Sequence, residues 1–173
     1  MHEGGPVPGR ECGACDVCCV VFEIREPAIA KAAGERCRHL TRCGCAIYET
    51  RPQTCRKWLC GWRLNPGLPD NWRPDLSGLL VYQTPCVETG YGPDAFVLAL
   101  SKGLAHLDDT SLLGFVQNMV ELRVPLYLTL HSGKAEGSSV FLNNILGPPV
   151  RSKDGAAFIA ILARQIEKLQ QPG

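Results

Sequence analysis

Nine of the chain's ten cysteines lie between residues 12 and 60. The first of them form the run Cys12-x2-Cys15-x2-Cys18-Cys19. Disulfide bonds, metal or cluster ligation and thiol redox chemistry can each gather cysteines in this way. A single Cys-x2-Cys is a common half of a zinc site, because its gap lets both thiolates reach one ion. Two such gaps in tandem resemble the ligand run of bacterial iron–sulfur proteins. The spacing therefore favours metal.

The first run does not complete a four-ligand site. In the iron–sulfur run the next cysteine follows after three residues, whereas here Cys19 follows Cys18 directly. Adjacent cysteines do not easily share one metal ion, but they can serve different centres or different irons of one cluster. A fourth ligand must therefore come from later in the chain. The candidates are Cys37, Cys45, Cys55 and Cys60.

For one histidine and two of the cysteines, there are alternatives to metal ligation. Cys37-Arg-His39 looks like one box of a Rieske centre, but the second Cys-x2-His box that such a centre requires is absent. His39 is either a zinc ligand or a hydrogen-bond partner of a thiolate. We expect Cys43 and Cys86 to be free thiols, because cysteine is often buried as a small apolar residue.

The later cysteines belong to a longer pattern. Gly44-Cys45-Ala-Ile-Tyr-Glu-x-Arg51-Pro52-x-x-Cys55-Arg56 is followed by Cys60-x-Trp62. With the first run and Cys37-x-His-Leu, this pattern resembles the zinc- or iron-chelating cysteine-cluster family (YkgJ-like, CxxCxxCC) over residues 12–62. The resemblance implies zinc or an iron–sulfur cluster as cofactor and no defined reaction. It also implies eight metal ligands: Cys12, Cys15, Cys18, Cys19, Cys37, Cys45, Cys55 and Cys60. Eight thiolates would suit two four-ligand sites, or one cluster and one zinc ion.

Composition narrows the class of protein. The 173 residues carry a formal net charge of +1, so no global charge indicates nucleic acid or an anionic membrane as a partner. No apolar run is long enough to span a membrane, and residues 1–11 lack the apolar stretch of a secretory signal. We therefore expect a cytoplasmic location, where clustered cysteines more often bind metal than pair as disulfides. Motifs of nucleophilic, nucleotide-dependent and zinc-protease catalysis are absent, so no catalytic residue is predicted.

The chain is predicted to be α+β. Residues 1–11 should form a flexible tail, residues 12–63 an irregular cysteine-rich metal-binding lobe of turns and short helices, and residues 64–173 a small sheet with two amphipathic helices. We expect the last two regions to form one domain. The Pro- and Gly-rich residues 65–74 indicate a loop or linker.

Individual elements follow from periodicity and capping residues. Short helices are expected from Pro27 to Ala33 and after Pro52, because proline suits a first helical turn. Strands are expected at residues 79–83, 126–130 and, more weakly, 138–142, which a turn at Ser132-Gly133 precedes. Residues 95–100 fit a strand or a helix equally, as short apolar runs often do. The amphipathic helices should cover residues 111–122 and 154–169.

Three functional hypotheses follow. The first is a protein that coordinates an iron–sulfur cluster, zinc or both through the cysteines, with a redox role and a redox partner protein as one option. The second is a zinc-stapled structural or interaction module without catalysis. The third is a protein that sequesters or delivers metal.

Overall fold

A computed structural model of the chain describes residues 5–131 and 138–171. It contains helices and a small mixed sheet, so the predicted α+β class is confirmed. The chain forms two compact units. The first consists of the described residues up to Tyr82 together with His131, and the second consists of residues 83–130 and the described residues from 138 onward. No helix in the described residues is long and apolar enough to cross a membrane.

The first unit is built from very short elements. No helix or strand that lies wholly within residues 5–78 is longer than five residues. A two-stranded antiparallel ribbon pairs Leu40 with Cys45 and Thr41 with Gly44. In chain order the elements are helix α1 (Val17–Val21), strands β1 (Leu40–Thr41) and β2 (Gly44–Cys45), and helices α2 (Gln53–Lys57), α3 (Gly61–Leu64) and α4 (Pro74–Ser77). The helix expected after Pro52 is α2, which begins at the next residue.

One local prediction in this unit is wrong. The helix expected from Pro27 to Ala33 is a 3-10 turn that ends at Ile29, and Lys31 instead pairs with Ile24 as an isolated β-bridge. The Lys31 ammonium donates hydrogen bonds to backbone carbonyls of three residues, which holds this segment out of a helix. Residues 65–74 form a loop, as one of the two alternatives predicted, and this loop is packed. They contain the 3-10 turn Asp70–Trp72, and the Trp72 side chain is only 2% exposed.

The segment expected to be a flexible tail is anchored at its C-terminal end. Arg10 is 8% exposed, and its guanidinium donates hydrogen bonds to the carbonyl oxygens of Trp62, Asn65 and Leu68. The Val7 N–H also donates to the Arg63 carbonyl, at 2.7 Å. These contacts fix the chain two residues before Cys12.

The sheet has the strand order β3-β4-β5-β6. Its strands are β3 (Leu79–Pro85), β4 (Asp94–Leu100), β5 (Leu126–Leu130) and β6 (Val140–Phe141). β4 and β5 are parallel, so they need a crossover, which helix α5 (Thr110–Glu121) supplies. β5 and β6 are antiparallel. The ambiguous run at residues 95–100 is a strand, and five of its six residues are buried, as expected for a strand covered on both faces.

Both predicted amphipathic helices are present and begin at their capping residues. Asp109 accepts hydrogen bonds from two backbone N–H groups at the start of α5, and Asp154 accepts one from Ala157 at the start of α7 (Gly155–Gln170). A further helix, α6 (Leu142–Arg151), was not among the predicted elements, and it contains Pro148 and Pro149. The weak strand expected at residues 138–142 is present only as the two residues of β6. The turn expected at Ser132-Gly133 lies outside the described residues.

Candidate metal centre

A cavity of about 360 Å³ in the first unit collects the predicted ligands. His39 also lines it, whereas Cys43 is exposed to solvent and Cys86 lies in the second unit, and neither is among the lining residues. All eight predicted ligands line this cavity, namely Cys12, Cys15, Cys18, Cys19, Cys37, Cys45, Cys55 and Cys60. Sequence positions up to 48 residues apart therefore meet at one place.

The first cysteine run is shaped by a turn and a helix. The Cys15 N–H donates to the Cys12 carbonyl at 2.8 Å, which closes a turn between these two residues. Helix α1 starts at Val17, so Cys18 and Cys19 occupy consecutive helical positions. Consecutive side chains on an α-helix diverge by about 100°, since one turn takes 3.6 residues. Their thiols nevertheless hydrogen-bond to each other.

The β1–β2 ribbon brings a second pair of cysteines together. The Leu40 N–H donates to the Cys37 carbonyl at 3.0 Å, and Leu40 itself pairs with Cys45. At the turn Gly44 has a φ of +106°, and a Cβ there would overlap the carbonyl oxygen of Gly13. Only glycine permits this contact between the ribbon and the first cysteine run.

The last two predicted ligands lie in and next to short helices. Cys55 is within α2, whose position follows from Pro52. Cys60 directly precedes α3, and the backbone N–H groups of Trp62 and Arg63 favour its thiolate form. Burial outweighs this effect and raises the pKa of Cys60.

We describe the thiols as two groups according to the charge neighbours that act on their pKa values. Cys18 interacts with Cys12 and Cys15, Cys15 interacts with Cys60, and Cys60 interacts with Cys12. We call these four cysteines, Cys12, Cys15, Cys18 and Cys60, group A. Burial raises the pKa of Cys15 to about 12, with smaller increases from Asp75 and Cys60, although backbone N–H groups of Val17 and Asp75 oppose the change.

The remaining four predicted ligands form group B, which comprises Cys19, Cys37, Cys45 and Cys55. Cys55 interacts with the other three members, and its pKa is raised mainly by burial. A hydrogen bond with Cys18 lowers the pKa of Cys19 to about 7, and the positive charges of Lys31 and Arg51 act in the same direction. This Cys18–Cys19 bond raises the pKa of Cys18, which makes it the donor. The bond joins the two groups.

Cationic side chains lie against both groups. The Lys31 ammonium interacts with Cys37, Cys19 and Cys18. Arg51 lines the cavity and stacks on the Tyr48 ring, with 3.8 Å from Cζ to the ring centroid. Arg63 donates from Nη1 to the Cys12 sulfur at 3.5 Å. These charges lower the cost of placing several thiolates in one cavity.

The donor set fits zinc or an iron–sulfur cluster. Thiolates are the soft ligands that both prefer, usually four to a centre. Among the described residues, Arg51 Nε and Nη1 and Arg63 Nε are buried without a hydrogen-bond partner, as donors beside an anionic thiolate centre would be. The sulfurs are not yet gathered for ligation: within residues 5–131 and 138–171, no three Cys, His, Asp or Glu side chains are arranged to hold a metal ion. Ligation by these cysteines would therefore require their side chains to rearrange.

Part of the cavity wall was not found from the sequence. Phe22 packs on Trp58 and Tyr82, with ring centroids 4.7 and 5.1 Å apart, and Phe22 and Trp58 line the cavity. Trp62 lines the cavity as well. Lys31 was assigned to a helix. The sequence does contain one signal that could have indicated a buried role for Lys31, because it is the only charged residue in an Ala-rich apolar stretch.

Comparison with known proteins found no matching family model, no matching curated protein and no matching solved structure. The family resemblance of residues 12–62 therefore stays a prediction from the sequence.

Proposed function

We propose that this chain binds metal through the eight cysteines of groups A and B, as zinc, as an iron–sulfur cluster or as both. One observation carries the proposal. The eight cysteines that match the CxxCxxCC pattern line a single cavity, and the two cysteines outside the pattern, Cys43 and Cys86, do not. A cavity that gathered thiols by chance would not separate them in this way.

The bound group would stabilise the first unit. Elements of at most five residues up to residue 78 offer little regular structure of their own, and metal affinity contributes directly to folding free energy when the site forms only in the folded chain. An iron–sulfur cluster would in addition carry electrons. Lys31, Arg51 and Arg63 would offset thiolate charge, and the aromatic wall of Phe22 and Trp58 would limit access of water.

A cytoplasmic location is part of the same proposal. A reducing compartment such as the cytoplasm would keep ten cysteines available as thiols for metal. A redox partner protein follows only if the bound group is an iron–sulfur cluster. Metal sequestration or delivery would require that the bound metal exchanges readily.

The test is to measure iron, zinc and acid-labile sulfide per chain. The protein is purified anaerobically on a resin without chelated metal. Iron with matching sulfide would identify a cluster, whereas zinc without sulfide would identify a structural site. A chain that retains neither metal, even after reconstitution of the reduced protein with iron and sulfide or with zinc, would contradict the proposal.

Matched serine variants test the ligand assignment. Cys15→Ser and Cys55→Ser should each lower the metal content and the yield of folded protein, because each removes a thiolate from the cavity wall. Cys43→Ser and Cys86→Ser are the controls and should retain the wild-type metal content. Loss of metal in Cys86→Ser equal to that in Cys15→Ser would refute the assignment.

A further inference from the structure

We propose that the cysteine-lined cavity of the first unit also binds a small organic oxyanion, a carboxylate or a phosphate ester attached to an apolar body. The proposal goes beyond metal binding and does not depend on it. It rests on Arg51 and Arg63, which both line the cavity and carry buried donor atoms, and on the aromatic part of the cavity wall.

Three donor nitrogens of these two arginines have no hydrogen-bond acceptor in the described part of the chain. They are Nε and Nη1 of Arg51 and Nε of Arg63, and all three atoms are buried. Burial of a charged donor without an acceptor is costly, so buried polar groups of native proteins are nearly always paired. The three nitrogens therefore indicate a place where an acceptor binds.

The side chains that line the cavity do not supply this acceptor. Arg63 reaches one thiol, because its Nη1 donates to the Cys12 sulfur at 3.5 Å, but no cysteine sulfur accepts a hydrogen bond from the three nitrogens. Among the described residues that line the cavity, Glu23 is the one carboxylate, and it pairs with Arg25 at 2.8 Å. The acceptor that we infer is therefore a molecule from outside the chain.

Tyr48 holds the two guanidinium groups near each other. The Arg51 guanidinium stacks on the Tyr48 ring, with 3.8 Å from Cζ to the centroid, and Arg63 Nη1 donates to the Tyr48 hydroxyl at 3.2 Å. Stacking covers a face of the Arg51 guanidinium and leaves the N–H groups in its plane free for an acceptor. Guanidinium groups suit the oxygens of carboxylates and phosphates. Arg73 also lines the cavity, but it is already paired with Asp75 at 2.7 Å.

The apolar part of the wall determines the rest of the ligand. Phe22 and Trp58 pack together with ring centroids 4.7 Å apart, and Ile29 and Ile47 line the cavity with them. The cavity volume of about 360 Å³ is within the range of small-molecule sites, which is roughly 300–1,000 Å³. Such sites combine an apolar wall with a few polar groups that orient the ligand. A molecule with one oxyanion and one ring or short aliphatic chain matches both parts of this cavity.

The first experiment is isothermal titration calorimetry on the full-length chain, reduced with dithiothreitol in a buffer without carboxylate or phosphate. The probes are phenylacetate, phenyl phosphate, inorganic phosphate and the neutral phenylacetamide. At least one of the two aryl anions should bind one to one and about tenfold or more tighter than phenylacetamide, since the amide lacks the charge that strengthens the hydrogen bonds. Equal affinity for phenylacetamide, or no binding of either aryl anion, would overturn the proposal. Inorganic phosphate that binds as tightly as phenyl phosphate would overturn the apolar part of it.

Matched variants assign the site to the cavity. Arg51→Gln removes one charge and two of the three donor atoms, and it should weaken binding of the aryl anion about tenfold or more. Arg42→Gln removes the same charge from an exposed arginine that is not among the lining residues, and it should bind like wild type. Equal losses in the two variants would show a general charge effect and would overturn the site.

A second measurement on the wild-type chain decides the matter if Arg51→Gln does not fold. Arginine Nε–H signals are followed by ¹H–¹⁵N nuclear magnetic resonance in the metal-free or zinc-bound chain, both of which are diamagnetic. Saturation with phenylacetate or phenyl phosphate should shift the Nε–H signals of Arg51 and Arg63. The Nε–H signal of Arg10 is the control and should stay in place, because it already donates to the Asp70 carboxylate at 3.2 Å. Unchanged Arg51 and Arg63 signals would overturn the proposal.

The outcomes separate this inference from the proposed function. Binding of an aryl anion by a chain that takes up neither zinc nor iron would support the oxyanion site and contradict metal binding. A metal-loaded chain that binds none of the probes would contradict the oxyanion site and leave metal binding intact, with the ligating thiolates as acceptors for Arg51 and Arg63.

Discussion

Replacing Arg10 with alanine should strongly destabilise the first unit, although Arg10 is neither a cysteine nor a cavity residue. Its buried guanidinium pairs with the carbonyl oxygens of Trp62, Asn65 and Leu68 at 2.7, 2.9 and 2.6 Å. It also bonds to the Asp70 carboxylate at 2.8 Å. The side chain thereby joins the residues just before Cys12 to the segment just after Cys60.

The magnitude follows from the three carbonyl contacts. A hydrogen bond that involves a charged group contributes about 1.5–3 kcal/mol, and an acceptor left buried and unpaired costs about 1–3 kcal/mol. Water can enter the space left by the side chain, so we expect a net loss of about 3–5 kcal/mol rather than the full sum. The ion pair adds little, because the Asp70 side chain is 91% exposed. Such exposed pairs contribute about 0–1 kcal/mol.

The assay is urea unfolding at a fixed excess of Zn²⁺, followed by tryptophan fluorescence. All three tryptophans lie in the first unit, so the signal reports that unit alone. For an m-value of about 1–3 kcal/mol per M, a loss of about 3 kcal/mol lowers the midpoint by roughly 1–3 M urea. Asp70→Ala is the matched control and should lower it much less. Equal shifts for Arg10→Ala and Asp70→Ala would refute the reasoning, since the carbonyl contacts would then contribute nothing.

Two further predictions concern a glycine and a histidine. Gly44→Ala should weaken zinc retention and lower the urea midpoint, because its Cβ would overlap the Gly13 carbonyl at a positive φ. Gly92→Ala is the control and should change neither, because a Cβ there meets no atom within 4 Å. Equal behaviour of the two variants would contradict the close approach between Gly44 and Gly13. Burial lowers the pKa of His131 below its ordinary 6.5, so the folded unit takes up its proton less readily than the unfolded chain. Stability from this group is full above pH 6.5 and is lost as the pH falls below it. Wild type should therefore lose more stability than His131→Gln between about pH 7.5 and about pH 5.5, and parallel losses would exclude His131 as the cause.

Local sequence signals were sufficient where an element is long or capped by its own residues. Helices α5 and α7 begin after Asp109 and Asp154, whose carboxylates accept backbone hydrogen bonds from the first turn. β5 has the predicted bounds, Leu126–Leu130. Such elements depend on periodicity and capping, which a short window of sequence contains.

The same reasoning failed where a distant contact overrides local preference. The Ala-rich stretch after Pro27 favours a helix, but the Lys31 ammonium donates hydrogen bonds to the carbonyl groups of Val20 and Phe22. No local sequence pattern predicts these hydrogen bonds. Helix α6 forms despite Pro148 and Pro149, and its Asn143 bonds to the backbone of Val124 and Leu126. Tertiary hydrogen bonds decide both cases.

The sequence by itself singled out the eight cysteines that line the cavity. The resemblance to the CxxCxxCC pattern separated these eight from Cys43 and Cys86, because that pattern is a property of the chain alone. Only the tertiary structure decided which cations lie beside them and that Arg10 ties the residues before Cys12 to the region after Cys60. The reason is physical: spacing fixes which neighbouring thiols can point the same way, whereas proximity between residues 12 and 60 or 19 and 55 depends on the path of the chain between them.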